Sequence, residues 1–453
     1  MKKRTAAVVL CVMMTLSMPL SLAGCGNPDK ETEQTKTEQT KAGQTAAEET
    51  KADREEDGGS ESNIRESAGA GEEDPTTVNI EEGVADETAA ITDFAVRLFQ
   101  QSMQEKENTL ISPISVLYAL AMTANGAGGE TLAQMEQVLG AGVGDLNDCL
   151  STYVSELPVD EKYKLSIANS IWFTDDEKFT VEQDFLRINE DYYGAGVYET
   201  PFDNSTLQAV NEWVSENTDG MIEEILDNIP EESVMYLVNA IAFDAEWQTV
   251  YEEYQVKEGV FTMEDKTTVD AEYMYSTERQ YLQDDKAQGF LKYYKDGKYA
   301  FAALLPNEGV TVAEYVESLT GEKLADILHN AEEVQVRAAI PKFESKYSVD
   351  LGNILQEMGM TDAFDNVTAD FSGLGTYEDS NLAISRVLHK TFIVVDEKGT
   401  KAGAATAVQV SRDAAALVEE IKEVYLDRPF VYMLIDCKTN QPLFMGTLMS
   451  VEQ

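Results

Sequence analysis

Apolar residues at Ile91, Phe94, Ala95, Leu98 and Phe99 recur at i, i+3, i+4, i+7 and i+8. That spacing lines one face of a helix. A second helix is predicted from Pro113 through Met122, where nearly every residue is apolar, so it should be buried all round. Ser112 suits its N-cap and Pro113 its first turn. Gly126 lies past its end, where a C-terminal stop is expected. Further helical patterns cover 131–139, 145–157 and 205 to about 226. Strand-like runs cover 165–173, 234–243, 299–305, 334–340 and 392–395. The chain closes on a hairpin, 430–435 and 443–449 around a turn at Lys438-Thr439-Asn440. Helices come first and strands crowd the second half, which favours an α+β fold over a regular βαβ alternation. No repeat or linker interrupts 86–453, so this stretch is expected to form one domain.

The pattern before Asp86 is different. Lys2, Lys3 and Arg4 precede an apolar run from about Ala6 to Leu20. The run is too short and too close to the start for an ordinary membrane span. It ends in Leu22-Ala23-Gly24-Cys25, which resembles the bacterial lipobox. Residues 1–25 are therefore expected to be a lipoprotein signal peptide, with Cys25 lipidated. A plain signal peptide or an uncleaved anchor is the alternative. From 26 to 85 Thr, Glu, Gln, Lys, Ala and Gly dominate and no aromatic appears. Such a segment cannot bury enough surface to offset its ordering entropy, and it is expected to be a disordered acidic tether spanning roughly 45 Å. The protein is expected outside the cytoplasmic membrane, lipid-anchored at the cell surface or secreted.

Charge narrows the classes further. Against 83 Asp and Glu stand 34 Lys and Arg, a formal −49. Nucleic acid needs a basic face, so no nucleic-acid partner is expected, and heparin activation is disfavoured for the same reason. The leader is basic and the tether short, so most of the negative charge resides in 86–453, where it solvates the surface or steers a basic partner. Two His and four Cys leave little scope for a His-based metal site, a conventional triad or a disulfide scaffold. Neither a metal nor a cofactor is expected, and enzymatic activity is not. Cys149 and Cys437 read as ordinary thiols.

The segment 384–408 is unlike the rest. A β-rich run through Phe392-Ile393-Val394-Val395 passes directly into Lys398-Gly399-Thr400-Lys401-Ala402-Gly403-Ala404-Ala405-Thr406-Ala407, without one large apolar side chain. A flexible loop or an Ala-rich helix would explain the composition. So would a segment that must later fit a crowded space. Here the sequence resembles the serpin family, over about 86–453. The family's hinge is an acidic residue, Gly-Thr, then small residues ending in Thr. It appears as Glu397-Lys398-Gly399-Thr400 through Ala402, Gly403, Ala404, Ala405 and Thr406. Val387-Leu388-His389-Lys390, Ser112-Pro113-Ile114-Ser115, Val238-Asn239-Ala240 leading to Trp247, Ile340-Pro341-Lys342-Phe343, Asp370-Phe371-Ser372-Gly373, Arg428-Pro429-Phe430 and Leu443-Phe444-Met445-Gly446 also match in order.

The resemblance implies several helices packed on a large central mixed β-sheet, with smaller sheets and an exposed reactive loop. It implies a metastable inhibitor: a serine protease attacks the loop, forms an acyl-enzyme and is trapped as the cut loop inserts as a missing strand. About a dozen added backbone hydrogen bonds, at about 1 kcal/mol each, supply on the order of 10 kcal/mol. Thr400, Ala402, Ala404 and Thr406 share one strand parity and suit the buried face. Lys401 departs from the family's usual Glu but falls on the opposite parity. Gly403 interrupts the Ala run and lowers strand propensity. The resemblance assigns Ser112, Ser115, Asn239 and His389 to a polar latch beneath the opening sheet. Trp247 and Lys342 fall where the loop enters, with Glu397 and Lys342 as an ion pair.

Counting seventeen positions from Glu397 reaches Asp413, which places the reactive bond at Asp413–Ala414; a shift of one gives Arg412. Counting back from Pro429 falls near Val418. The target stays open between elastase-like, trypsin-like and Asp-accepting serine proteases, and a monomer is expected. A non-inhibitory serpin acting as a carrier or chaperone, and a solute-binding lipoprotein, are the competing readings.

Overall fold

The computed structural model describes residues 80–104, 106–157, 163–378, 380–400 and 421–451. Helix α1 (Ile80–Ser102) is followed by β1 (Thr109–Ile111), α2 (Pro113–Ala124), α3 (Gly129–Leu139) and α4 (Val143–Ser155). Then come β2 (Tyr163–Thr174), β3 (Phe179–Val181), α5 (Gln183–Tyr193), β4 (Gly196–Thr200) and α6 (Asn204–Asn217). A strand-rich stretch follows: β5 (Met235–Glu246), β6 (Val256–Thr262), β7 (Thr268–Gln283), β8 (Ala287–Tyr293) and β9 (Tyr299–Pro306). Short helices α7 (Val312–Glu317) and α8 (Gly321–His329) lead to β10 (Glu332–Pro341), β11 (Phe343–Asp350) and α9 (Gly352–Glu357). Last are β12 (Gly375–Tyr377), β13 (Leu388–Val395), β14 (Gly399–Thr400), β15 (Ile421–Tyr425), β16 (Phe430–Asp436) and β17 (Gln441–Leu448).

The architecture is α+β. Nine strands form one sheet in the order β1-β17-β16-β9-β8-β7-β10-β15, with β6 also on β7. Six form a second sheet, β11-β13-β14-β5-β2-β4, and β12 pairs with β3. The six-stranded sheet is mixed: β4 runs parallel to β2 and the other pairs are antiparallel.

The helical face expected on α1 is buried as a set: Ile91, Phe94, Ala95, Leu98 and Phe99 are all within the core. Burying each large member is worth roughly 1.5–3 kcal/mol. Almost every residue of α2 is buried, as its all-round apolar pattern required. The helix packs against β5 and β17, between the two large sheets. Ser112 caps it by accepting from the Ser115 N–H, with Pro113 in the first turn.

Two helix ends differ from expectation. Helix α1 is described from Ile80, ahead of Asp86. Helix α6 stops at Asn217 rather than near Leu226. Asp219 and Gly220 adopt φ of 50° and 74°, which breaks the helical run. Gly126 does lie just past the end of α2, after the C-cap Asn125, but without the left-handed φ of a glycine stop; packing requires it, since a Cβ there would lie 2.5 Å from Leu374 Cβ.

Signal peptide, Cys25 and almost all of the tether lie outside the described residues. So do Ala402, Gly403, Ala404, Ala405 and Thr406, and the bond candidates Arg412, Asp413 and Ala414.

Candidate functional site: a strand gap and its hinge

Strand β13 ends at Val395 and turns back at once. The Asp396 carboxylate accepts from the Lys398 N–H at 2.8 Å and the Gly399 N–H at 3.2 Å. This turn delivers β14 between β13 and β5, antiparallel to both, with Thr400 opposite Val395 on one side and Ala245 on the other. Gly399 fits because it has no side chain: a Cβ there would sit 2.0 Å from the Ala245 carbonyl oxygen.

Trp247 and Tyr251 hold the turn through backbone and indole groups. The Trp247 N–H donates to the Lys398 carbonyl at 2.8 Å and the Tyr251 N–H to the Glu397 carbonyl at 2.9 Å. The Trp247 indole N–H donates to the Asp396 carbonyl at 2.8 Å. Trp247 is fully buried and stacks on Tyr294 at 4.4 Å between ring centres. The Lys292 ammonium lies 5.3 Å from the Trp247 ring centre and 4.3 Å from that of Tyr251, buried and paired with Glu278 at 3.0 Å. Sequence reasoning found Trp247. It missed Tyr251, Tyr294, Lys292 and Glu278, which are brought together by the pairing of β7 with β8 and by the stretch after β5.

Lys342 and Glu397 meet at 3.1 Å, and Lys342 also reaches Glu272 at 3.2 Å. Burial alone would raise the Glu397 carboxyl, but its own backbone N–H and the Lys342 ammonium outweigh that and hold it below the usual carboxylate range.

Below Thr400, no described pairing joins β13 to β5. A cavity of about 1070 Å³ lies there, walled by β5, by the approach to β13 and by α2. Ser115, Asn239 and His389 all face it. His389 is buried on β13, and its Nε2 accepts from the Ser112 N–H at 2.9 Å. Burial pushes its imidazole down to about 4, so the ring is neutral at pH 7. Ser112 Oγ donates to the Leu443 carbonyl at 2.8 Å. Across the cavity, Ser115 Oγ donates to Asn239 Oδ1 at 2.5 Å. Asn239 passes the chain on to Asn169 at 2.8 Å, and Asn169 to the Tyr193 carbonyl at 2.9 Å. Thus the four sequence candidates converge on the N-terminus of α2, one strand from each side. His389 and Asn239 are tied to that helix rather than to each other. Asn169 completes the network and had no sequence signal of its own; strand register alone sets it opposite Asn239.

Among the described residues no group of His, Cys, Asp and Glu is arranged to hold a metal ion, and no helix is long and apolar enough to cross a membrane. What the arrangement can do is accept a strand. Gly399 and Thr400 already pair there, and beyond them, among the described residues, β13 and β5 are unjoined over a cavity.

Known proteins are similar in sequence and in fold. The family model Serpin (serine protease inhibitor) matches residues 89–451. The native-state crystal structure of tengpin, a thermophilic serpin, is 49% identical with a TM-score of 0.77, covering 82% of this chain and 95% of that one. An uncharacterised serpin-like protein of Thermococcus kodakarensis is 31% identical, over 80% of this chain and 85% of its own length. Human Serpin B8 is 32% identical, over 79% and 97%. With a matching family model over most of its length and relatives above 30% identity along nearly their whole length, this chain belongs to the serpin family.

Proposed function

We propose that this serpin is inhibitory, a suicide substrate for a serine protease. The observation that carries the reading is β14. Gly399 and Thr400 pair antiparallel with both β13 and β5, and the side chain of Thr400 is buried. Continued in the same line, Ala402, Ala404 and Thr406 would present small groups to that face, where a bulky or charged group would slow insertion. In this mechanism the protease serine forms an ester with the Asp413 carbonyl and the Ala414 amine departs. The upstream segment then inserts and carries the ester with it. Seventeen strand residues reach about 56 Å, close to the roughly 50–55 Å diameter of a globule with radius of gyration about 21 Å. Arg412 is the neighbouring candidate, which would suit a trypsin-like pocket.

The test mixes the purified protein with elastase, trypsin, subtilisin and an Asp-specific protease. A complex stable to SDS, with a released peptide beginning at Ala414, is expected with at least one. Cleavage without a complex throughout the panel would overturn the inhibitory reading for those enzymes. The same proposal has the protein act as a monomer held at the cell surface through acylated Cys25. Replacing Cys25→Ser should then abolish labelling by a fatty-acid analogue and release the protein from the membrane fraction.

A further inference from the structure

An ionic crossing closes the end of the gap remote from the hinge. Arg386 lies just before β13 and lines the cavity. Its Nε donates to Asp350 Oδ2 at 3.2 Å, at the end of β11. Its Nη1 donates to Asp227 Oδ1 at 3.1 Å and to Asn228 Oδ1 at 3.4 Å. Asp350 also accepts from the Val387 N–H at 3.2 Å, and the Leu351 N–H donates to the Val387 carbonyl at 2.8 Å. Arg386 is therefore rooted in the β11–β13 half of the sheet.

Asp227 belongs to the other half. It lies on the segment leading from α6 into β5. Asn211 on α6 grips that segment with three bonds of 2.8–2.9 Å to Ile225 and Leu226. Val210 and Val214 of α6 pack in one cluster with Trp172 of β2 and Val238 of β5. One guanidinium thus spans the seam that a new strand must occupy. An inserted strand needs its flanking neighbours about 9–10 Å apart, along the whole seam.

We propose that Arg386 and Asp227 form a clasp across the gap, holding the two halves of the six-stranded sheet together at its lower end and slowing strand insertion until it opens. The planar fork of Arg lets one side chain serve both halves at once. Side-chain exposures of 31% for Arg386 and 70% for Asp227 make the clasp weak and salt-sensitive, as a catch that must release requires. Its consequence for trapping rests on the inhibitory reading above; the clasp itself does not.

The test compares the wild type with Asp227→Ala, which removes the ionic crossing and leaves only the longer Asn228 bond, and Arg386→Ala, which removes the crossing and the Asp350 pair. Two readouts use the intact protein. Hydrogen–deuterium exchange follows the amides of 235–241 and 384–390. A synthetic peptide with the sequence of 400–408 reports gap acceptance as the rate of a native-gel shift. Asp227→Ala should speed both by about two- to fivefold, as Arg386→Ala does. About 1 M salt should bring the wild type to the same rate and leave Asp227→Ala unmoved. Equal rates in wild type and Asp227→Ala, or acceleration by Arg386→Ala alone, would overturn the clasp. Failure of the inhibitory reading looks different: the wild type is cleaved without trapping, while the exchange comparison keeps its outcome.

Discussion

The Tyr294 hydroxyl and Thr400 Oγ1 lie 2.6 Å apart, both fully buried. This bond joins the residue that follows β8 of the nine-stranded sheet to the second residue of β14 in the six-stranded one. Tyr294→Phe should leave the Thr400 hydroxyl without its partner and cost about 1–3 kcal/mol. Urea unfolding of the variant would measure it, and an unchanged midpoint would show that β14 is held by its backbone alone.

Gly399→Ala is expected to expel β14 from the sheet, because the new methyl would collide with the Ala245 carbonyl. Overpacking of this kind costs about 1–3 kcal/mol. Faster amide exchange at Ala245 and Glu246 is the predicted signature; retained protection there would mean that β5 shifts to make room.

His389 makes stability depend on pH. Its folded value is depressed from 6.5 to about 4, so folded and unfolded histidine are both neutral well above pH 6.5. As pH falls from 6.5 towards 4 the unfolded chain takes up a proton that the folded one refuses. Stability is then lost, approaching roughly 3 kcal/mol below pH 4. His389→Gln, whose side-chain carbonyl can still accept from Ser112, should flatten this part of the profile. Identical slopes in both proteins between pH 7 and 4.5 would assign the loss to other groups.

Lys292 and Glu278 form a buried pair under the hinge. Burial pulls the ammonium down, but the neighbouring Tyr251 hydroxyl and Glu278 carboxylate outweigh it and hold Lys292 above its ordinary value. Lys292→Met alone strands a buried carboxylate and should cost about 3–5 kcal/mol. Adding Glu278→Leu should restore most of that, since an apolar pair of similar volume replaces a desolvated ionic one. A double-mutant cycle on unfolding midpoints decides it; additive losses would deny the coupling.

Local signals carried much of this fold. Ser112 and Pro113 marked the start of α2, because a cap depends on neighbours in sequence. The end of α6 was overrun, since its apolar residues continue through Ile222, Ile225 and Leu226. Those side chains do join the α6 cluster, but from a chain already broken at Gly220. Apolar spacing records burial, not helicity. Asn169, Tyr294 and Arg386 escaped notice for another reason. Each matters through a partner more than 65 positions away, and only the strand register or the chain path around α6 makes those partners neighbours.

Among the described residues Thr400 ends β14 of the six-stranded sheet, and the next, Ile421, opens β15 of the other. Every residue of β16 and β17 is buried, and these strands lie between β9 and β1. A single cut between 400 and 421 would therefore make two polypeptides and still leave one particle. Its downstream piece is locked in place as interior strands. Under the inhibitory proposal the displacement then falls to the upstream piece, so a scission without direction becomes movement in one.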